Sequence, residues 1–195
     1  MDIPGFEIKE LIYEGRVAYI WKAQQISLNR VVAIKVLKPD SAADPEEKDA
    51  FLREARIVAR VKHENIVQVY DIVEEGDLCY FAMEYAGGPT LEQIINEKGR
   101  LSKSRTFEIS LQLAQALQRL WDDEKAIHRN IKPNNVLTTK DQTVKLCDFG
   151  LVKLCSDESE AEDDMVGTPN YMPPEVAGGR DVDFRGDMYS LGALI

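Results

Sequence analysis

The chain has 195 residues, is 44% hydrophobic and 30% charged, and carries a formal net charge of −10. That length supports one or two compact units with a real core. The acidic balance disfavours non-specific attraction to nucleic acid or anionic lipid, without excluding a local basic groove for phosphates. No basic segment precedes an apolar stretch as in a signal peptide, and no apolar run is long enough to span a bilayer. The three cysteines, Cys79, Cys147 and Cys155, have no paired spacing. They point away from a disulfide framework or zinc site and toward a reducing cytoplasm.

The first third reads as strands. Residues 7–12 and 17–23 alternate or cluster apolar side chains around Gly15, and residues 31–37 form a short β-branched run interrupted by Lys35. A helix follows, with Asp44 as N-cap, Pro45 at the first helical position and Glu47 completing a capping box. Phe51, Ala55 and Val58 give it an apolar stripe, and Glu54 points with that stripe, where a carboxylate needs a cationic partner. Residues 66–74 and 78–85 read as two strands joined tightly at Gly76-Asp77. Gly87-Gly88-Pro89 then breaks the pattern and marks the boundary between a unit over 1–86 and a second over 87–195.

The second part opens helical. Thr90 caps a short helix that Gly99 ends; Ser102 caps a longer one with Phe107, Leu111, Ala114, Leu117 and Trp121 at helical spacing. A polar loop leads to a strand at residues 143–146 and then Asp148-Phe149-Gly150. Residues 156–164 are an acidic, solvated segment. From Met188 to Ile195 an apolar helix runs to the last residue without a stop signal, so the chain reads as a fragment ending in mid-element.

Taken in order, Val32-Ala33-Ile34-Lys35, Glu54, His128-Arg129-Asn130-Ile131-Lys132-Pro133-Asn134-Asn135, Asp148-Phe149-Gly150 and Pro173-Pro174-Glu175 resemble the protein kinase signature set across essentially the whole chain. Lys132 makes the loop similar to that of Ser/Thr rather than Tyr kinases. The resemblance implies an α+β, two-lobed protein-kinase-like fold: a β-rich N-lobe over 1–86 and a mainly helical, C-terminally truncated C-lobe over 87–195.

It also implies roles. Lys35 would hold the α- and β-phosphates of ATP, with Glu54 as its helical partner, and Asp148 and Asn135 would bind Mg²⁺. Glu84 to Ala86 would be the hinge to adenine, with Met83 as gatekeeper, and Gly15, Ile20, Ala33 and Leu137 would complete the nucleotide site. Asn130 and Lys132 would occupy the catalytic positions. His128 and Phe149 would pack with Val58 and Val69, Asp187 would brace the catalytic loop, and Thr168 and Glu175 resemble the residues after the activation segment. Each motif also has a plainer reading: Lys35 as a snorkelling strand lysine, Asp-Phe-Gly as an ordinary turn, Met83 as core filler, His63 as a structural residue and Asp187 as a surface one.

Two departures from the family pattern decide the functional expectation. The positions of the glycine-rich loop hold Tyr13, Gly15 and Ala18, so backbone approach to phosphate is looser. The catalytic loop reads His-Arg-Asn, and the amide of Asn130 cannot accept the proton of a substrate hydroxyl; losing a general base costs about 10²–10⁴-fold in rate. The expectation is an ATP- and Mg²⁺-binding pseudokinase with a regulatory or scaffold role, residual transfer resting on positioning alone. The alternatives are an active Ser/Thr kinase phosphorylating protein hydroxyls, or an interaction module that holds no nucleotide. Partners would be a protein substrate or regulated protein, with no nucleic acid and no membrane. Arg129 would meet a phosphate on Ser156 or Ser159, or the acidic run in its place, unless that run is only a solvated loop.

Overall fold

The computed structural model describes residues 3–76, 78–155, 168–177 and 183–195. Asp77 and the acidic run at 156–164 lie outside them. The chain divides into two compact units, Met1–Ala59 with Val67–Tyr85, and Arg60–Ile66 with Ala86–Ile195.

The first unit is an antiparallel sheet of five strands in the order β1-β2-β3-β5-β4. The strands are β1 (Phe6–Glu14), β2 (Ala18–Gln25), β3 (Arg30–Leu37), β4 (Val69–Glu75) and β5 (Leu78–Glu84), with helices α1 (Pro39–Ala42) and α2 (Pro45–Arg60) between β3 and β4. Directly paired residues of an antiparallel sheet project to the same side, so the register sorts the side chains. Ile20 pairs with Lys35 and Lys35 with Phe81, while Ala33 pairs with Met83, and these share one face. Val32, Ile34 and Val36 take the other face, where they build a core with Ile3, Phe6, Ala23, Tyr80 and Ala82.

Helix α2 covers part of the Lys35 face. Phe51 stacks on Phe81 with ring centroids 5.0 Å apart, and both are buried, each contributing roughly 1.5–3 kcal/mol by leaving water. Asp44 caps α2: its Oδ1 accepts the amides of Glu46 at 2.9 Å and Glu47 at 3.4 Å. The reciprocal half of the expected capping box differs, because the Glu47 side chain is held instead by Ser41 and Arg16.

The second unit is built on helices α3 (Leu91–Lys98), α4 (Lys103–Glu124), α5 (Pro174–Ala177) and α6 (Phe184–Leu194). Strands β6 (Gly87–Thr90), β8 (Val136–Thr139) and β9 (Val144–Leu146) form one small sheet, and β7 (Ala126–Ile127) pairs with β10 (Lys153–Leu154). Thr90 and Gln93 make a complete capping box on α3, and Gly99 ends it at φ 76°. Ser102 caps α4 through the amide of Arg105.

Helix α4 corrects one expectation. Its buried face is Ile109, Leu113, Ala116, Leu117 and Leu120, whereas Phe107 and Leu111 are 72% and 50% exposed. Leu117 of the expected stripe is buried as expected, but packing against β7, β9 and α6 turns the face toward Ile109 and Leu113 and leaves Phe107 and Leu111 outside it.

Gly88 is required by contact: a Cβ there would lie 2.4 Å from the Thr138 carbonyl oxygen on the neighbouring strand. Gly192, on the exposed side of α6, has nothing within 4 Å. Gly88→Ala is therefore expected to lower stability by about 1–3 kcal/mol through overpacking. Gly192→Ala should be neutral or stabilising by up to ~1 kcal/mol from helix propensity. Urea denaturation midpoints of the two variants check this ordering.

Candidate functional site

In the first unit, Lys35 and Glu54 form a buried ion pair. The Lys35 Nζ donates to both carboxylate oxygens at 2.7 Å, and the two side chains are only 11% and 8% exposed. The ammonium also lies 5.6 Å from the Phe81 ring centroid and 5.9 Å from that of Phe51. A buried pair of this kind is often no more stable than the apolar residues that could replace it. A fixed cation on a rigid strand is, however, what a polyphosphate requires.

Ile20, Ala33 and Met83 occupy the same sheet face as Lys35. Glu84 closes β5, its amide donating to the Gln68 carbonyl at 2.9 Å. Gly15 sits in the β1–β2 turn, donating its amide to the Ala18 carbonyl at 2.9 Å. The Tyr13 ring lies so close that a Cβ on Gly15 would be 2.9 Å from its Cε1. Tyr13 itself is exposed.

The second unit gathers the remaining candidates around the loop after β7. Asp187, buried near the start of α6, accepts the backbone amides of His128 at 2.7 Å and Arg129 at 2.8 Å, one on each carboxylate oxygen. The plain surface reading of Asp187 is thereby excluded. The His128 ring is fully buried, 3.2 Å from the Cys147 carbonyl through Nε2 and 4.5 Å from the Phe149 ring centroid. Its Nδ1 accepts the Asn130 amide at 3.2 Å. Arg129 and Asp148 both adopt left-handed backbone, at φ 65° and 61°. Such conformations cost non-glycine residues on the order of 1–3 kcal/mol each and collect at functional sites.

These turns bring Asn130, Asn135 and Asp148 together. The Asn130 side-chain Nδ2 donates to Asp148 Oδ2 at 3.1 Å. The Asn135 side-chain Nδ2 donates to the Asn130 carbonyl at 2.9 Å. The amide orientation of Asn130 is forced, since its oxygen would repel the carboxylate. Asn135, with its nitrogen so engaged, has an oxygen left to offer a hard cation.

Among the described residues no three His, Cys, Asp or Glu side chains cluster as a metal site. A carboxylate and an amide oxygen suit a magnesium ion completed by phosphate and water, and do not suit a soft metal held wholly by protein. Lys132 precedes a short 3₁₀ turn (Pro133–Asn135) and accepts the Asn135 amide on its carbonyl at 3.0 Å. Leu137 lies on β8 opposite Lys145, and Ala86 opens the second unit.

Two features had no individual signal in the sequence. Asn65 Nδ2 donates to Gln112 Oε1 at 2.9 Å and to the Val144 carbonyl at 2.8 Å, while Lys145 Nζ donates to the Glu64 carbonyl at 2.8 Å. Together they tie residues 60–66 to α4 and β9. The second is the ion pair of Arg16 with Glu47.

Full burial pushes His128 down to about 4. Burial also pushes Asp187 up to about 6, against the pull of the His128 and Arg129 amides. The signs oppose. The contribution of His128 to stability is complete above its unfolded value near 6.5 and is lost as pH falls toward 4. That of Asp187 is present at low pH and is lost as pH rises through 6. In His128→Gln only the second remains. On acidification from about pH 7.5 to about pH 5.5 the stability gap between wild type and variant should shrink by roughly 1 kcal/mol. Urea midpoints at the two pH values check this; a constant gap would show that His128 does not titrate as described.

The family model for the protein kinase domain matches residues 6–195. A probable serine/threonine-protein kinase of Clostridium acetobutylicum is 37% identical over 191 residues, covering 97% of this chain and 29% of that protein. Serine/threonine-protein kinase PknB of Mycolicibacterium smegmatis is 36% identical over 197 residues, covering 97% of this chain and 31% of its own length. PknB of Mycobacterium tuberculosis gives the same figures. The chain thus spans under a third of the length of these curated relatives. Its β-sheet first unit and helical second unit are the N-lobe and C-lobe portion of a kinase-like fold, and the chain belongs to the protein kinase domain family.

Proposed function

We propose that this chain is a Ser/Thr-kinase-like domain that binds ATP with magnesium and transfers phosphate poorly, serving chiefly to regulate or scaffold a partner protein. Lys35, oriented by Glu54, holds the α- and β-phosphates. Ile20, Ala33, Met83, Leu137 and the hinge from Glu84 to Ala86 take the base, and Asp148 and Asn135 hold the metal. Magnesium, when bound, neutralises charge developing on the transferred phosphoryl group.

The observation that carries the impairment is the hydrogen bond from Asn130 Nδ2 to Asp148. Asn130 turns a donor toward the metal-binding carboxylate and has no basic atom with which to take up the proton of a substrate hydroxyl. Lys132, two residues on, supplies positive charge near the transferred phosphate but, as a cation, accepts no proton either. A cytoplasmic setting belongs to the same reading; it rests on three cysteines that form no disulfide, and no described helix is long and apolar enough to cross a membrane.

A second reading, an active Ser/Thr kinase phosphorylating protein hydroxyls, is favoured by one observation: relatives named as kinases match 97% of the chain. In that case Asn130 Oδ1 would only orient the hydroxyl, with the proton leaving to phosphate or water. A module that holds no nucleotide would need Tyr13, which pairs with Ile20 on the Lys35 face, to fill the site; it finds less support, because the Tyr13 side chain is exposed and lies against Gly15.

Phosphotransfer to a generic protein substrate separates the two kinase readings. The proposal expects wild-type rates about 10²–10⁴-fold below those of Asn130→Asp, with Asp148→Ala inactive in both backgrounds. A wild-type rate equal to that of Asn130→Asp, and lost in Asp148→Ala, would establish the active enzyme instead.

A further inference from the structure

In the β1–β2 turn two of the three loop glycines of the family are replaced, so Cβ atoms keep the backbone from approaching a phosphate as closely. Tyr13 and Ala18 carry side chains where the family has glycine, and the Gly15 amide is engaged within the turn by the Ala18 carbonyl. The Tyr13 ring covers Gly15. The next residue, Arg16, has a side chain 81% exposed and paired to Glu47 in the first turn of α2. Glu47 leaves the reciprocal half of the helix cap unmade. The Ser41 hydroxyl, and then Arg16, hold its carboxyl below the usual range, so it stays anionic.

Glu47 lies on the same stripe of α2 as Glu54, seven positions and about 10 Å toward the N-terminus. On the sheet side, Arg16 lies four positions beyond Ile20, the partner of Lys35, roughly 13 Å along the chain. Two cation–carboxylate rungs, Lys35–Glu54 and Arg16–Glu47, therefore join the β1–β3 strands and the turn between β1 and β2 to one face of the same helix.

We propose that Arg16 is a phosphate-binding residue of this site: its guanidinium leaves Glu47 to engage the terminal phosphate oxygens of a nucleoside triphosphate, and Glu47 is the carboxylate that competes for it. The inference rests on the nucleotide-binding reading above. The guanidinium fork matches phosphate as it matches carboxylate. An exposed ion pair is weak and readily exchanged, whereas a triphosphate brings more negative charge than one carboxylate. A side chain thus reaches where the Cβ atoms of Tyr13 and Ala18 hold the backbone away, and it discriminates by phosphate number.

Isothermal titration with MgATP and with AMP tests this on wild type, Arg16→Ala, Glu47→Gln and the exchanged pair Arg16→Glu/Glu47→Arg. Arg16→Ala should weaken MgATP binding about tenfold, equivalent to ~1.4 kcal/mol, and leave AMP unchanged. Glu47→Gln should tighten MgATP binding, and the exchanged pair should bind as weakly as Arg16→Ala. Unchanged MgATP affinity in Arg16→Ala would overturn the assignment. So would equal weakening by both single changes with recovery in the exchanged pair, which would make the ion pair a latch on α2 only. Failure of wild type and every variant to bind MgATP would overturn the nucleotide-binding reading itself, and this inference with it.

Discussion

A lysine held on a central strand by a buried carboxylate is the constraint around which the first unit is organised. Lys35 has sheet neighbours on both sides and Glu54 beneath it, and neither partner can leave without stranding a buried charge, a loss typically of about 3–5 kcal/mol. The pair therefore fixes α2 against one sheet face. The aromatic contact of Phe51 with Phe81 seals it, and the face carrying Ile20, Ala33 and Met83 continues from it. The opposite face holds an apolar core with no charged member, so the buried ion pair and the core lie on the two sides of one sheet.

The second unit solves a different problem, holding an irregular loop in two left-handed backbone conformations. Asp187 grips two consecutive amides, and His128 bridges the Cys147 carbonyl and the Asn130 amide. The strain at Arg129 and Asp148 persists because these partners over-determine the loop. Within that frame Asn130 meets Asp148 directly. An amide and a carboxylate bind each other here. Asn130 thus turns a neutral donor toward Asp148, and on the proposed reading leaves no base beside it.

Much of this was legible in the sequence, for identifiable reasons. The β-branched run broken by Lys35, and the carboxylate on the apolar stripe of α2, are local patterns that only a buried pair satisfies. Thr90 with Gln93, Gly99 and Ser102 are cap chemistry written in short range. The choice of apolar face on α4 was not legible, because periodicity reports a stripe but not which neighbour covers it; Phe107 and Leu111 fit the helix as well as Ile109 and Leu113 do. The grouping of residues 60–66 with the second unit depends on Asn65 and Lys145 meeting partners 79 and 81 positions away, a distance at which sequence spacing carries no signal. Glu47 shows the limit of a motif: its position fits a capping box, but Ser41 and an arginine from a distant turn hold it instead.

The account turns on Lys35 serving a triphosphate and not merely neutralising Glu54. Isothermal titration of MgATP into wild type and into Lys35→Met, whose apolar chain fills the same space, addresses that claim most directly. The account predicts saturable binding by wild type and a loss of at least about tenfold in the variant, ~1.4 kcal/mol or more. Equal affinity in both proteins, with the variant folded, would contradict it.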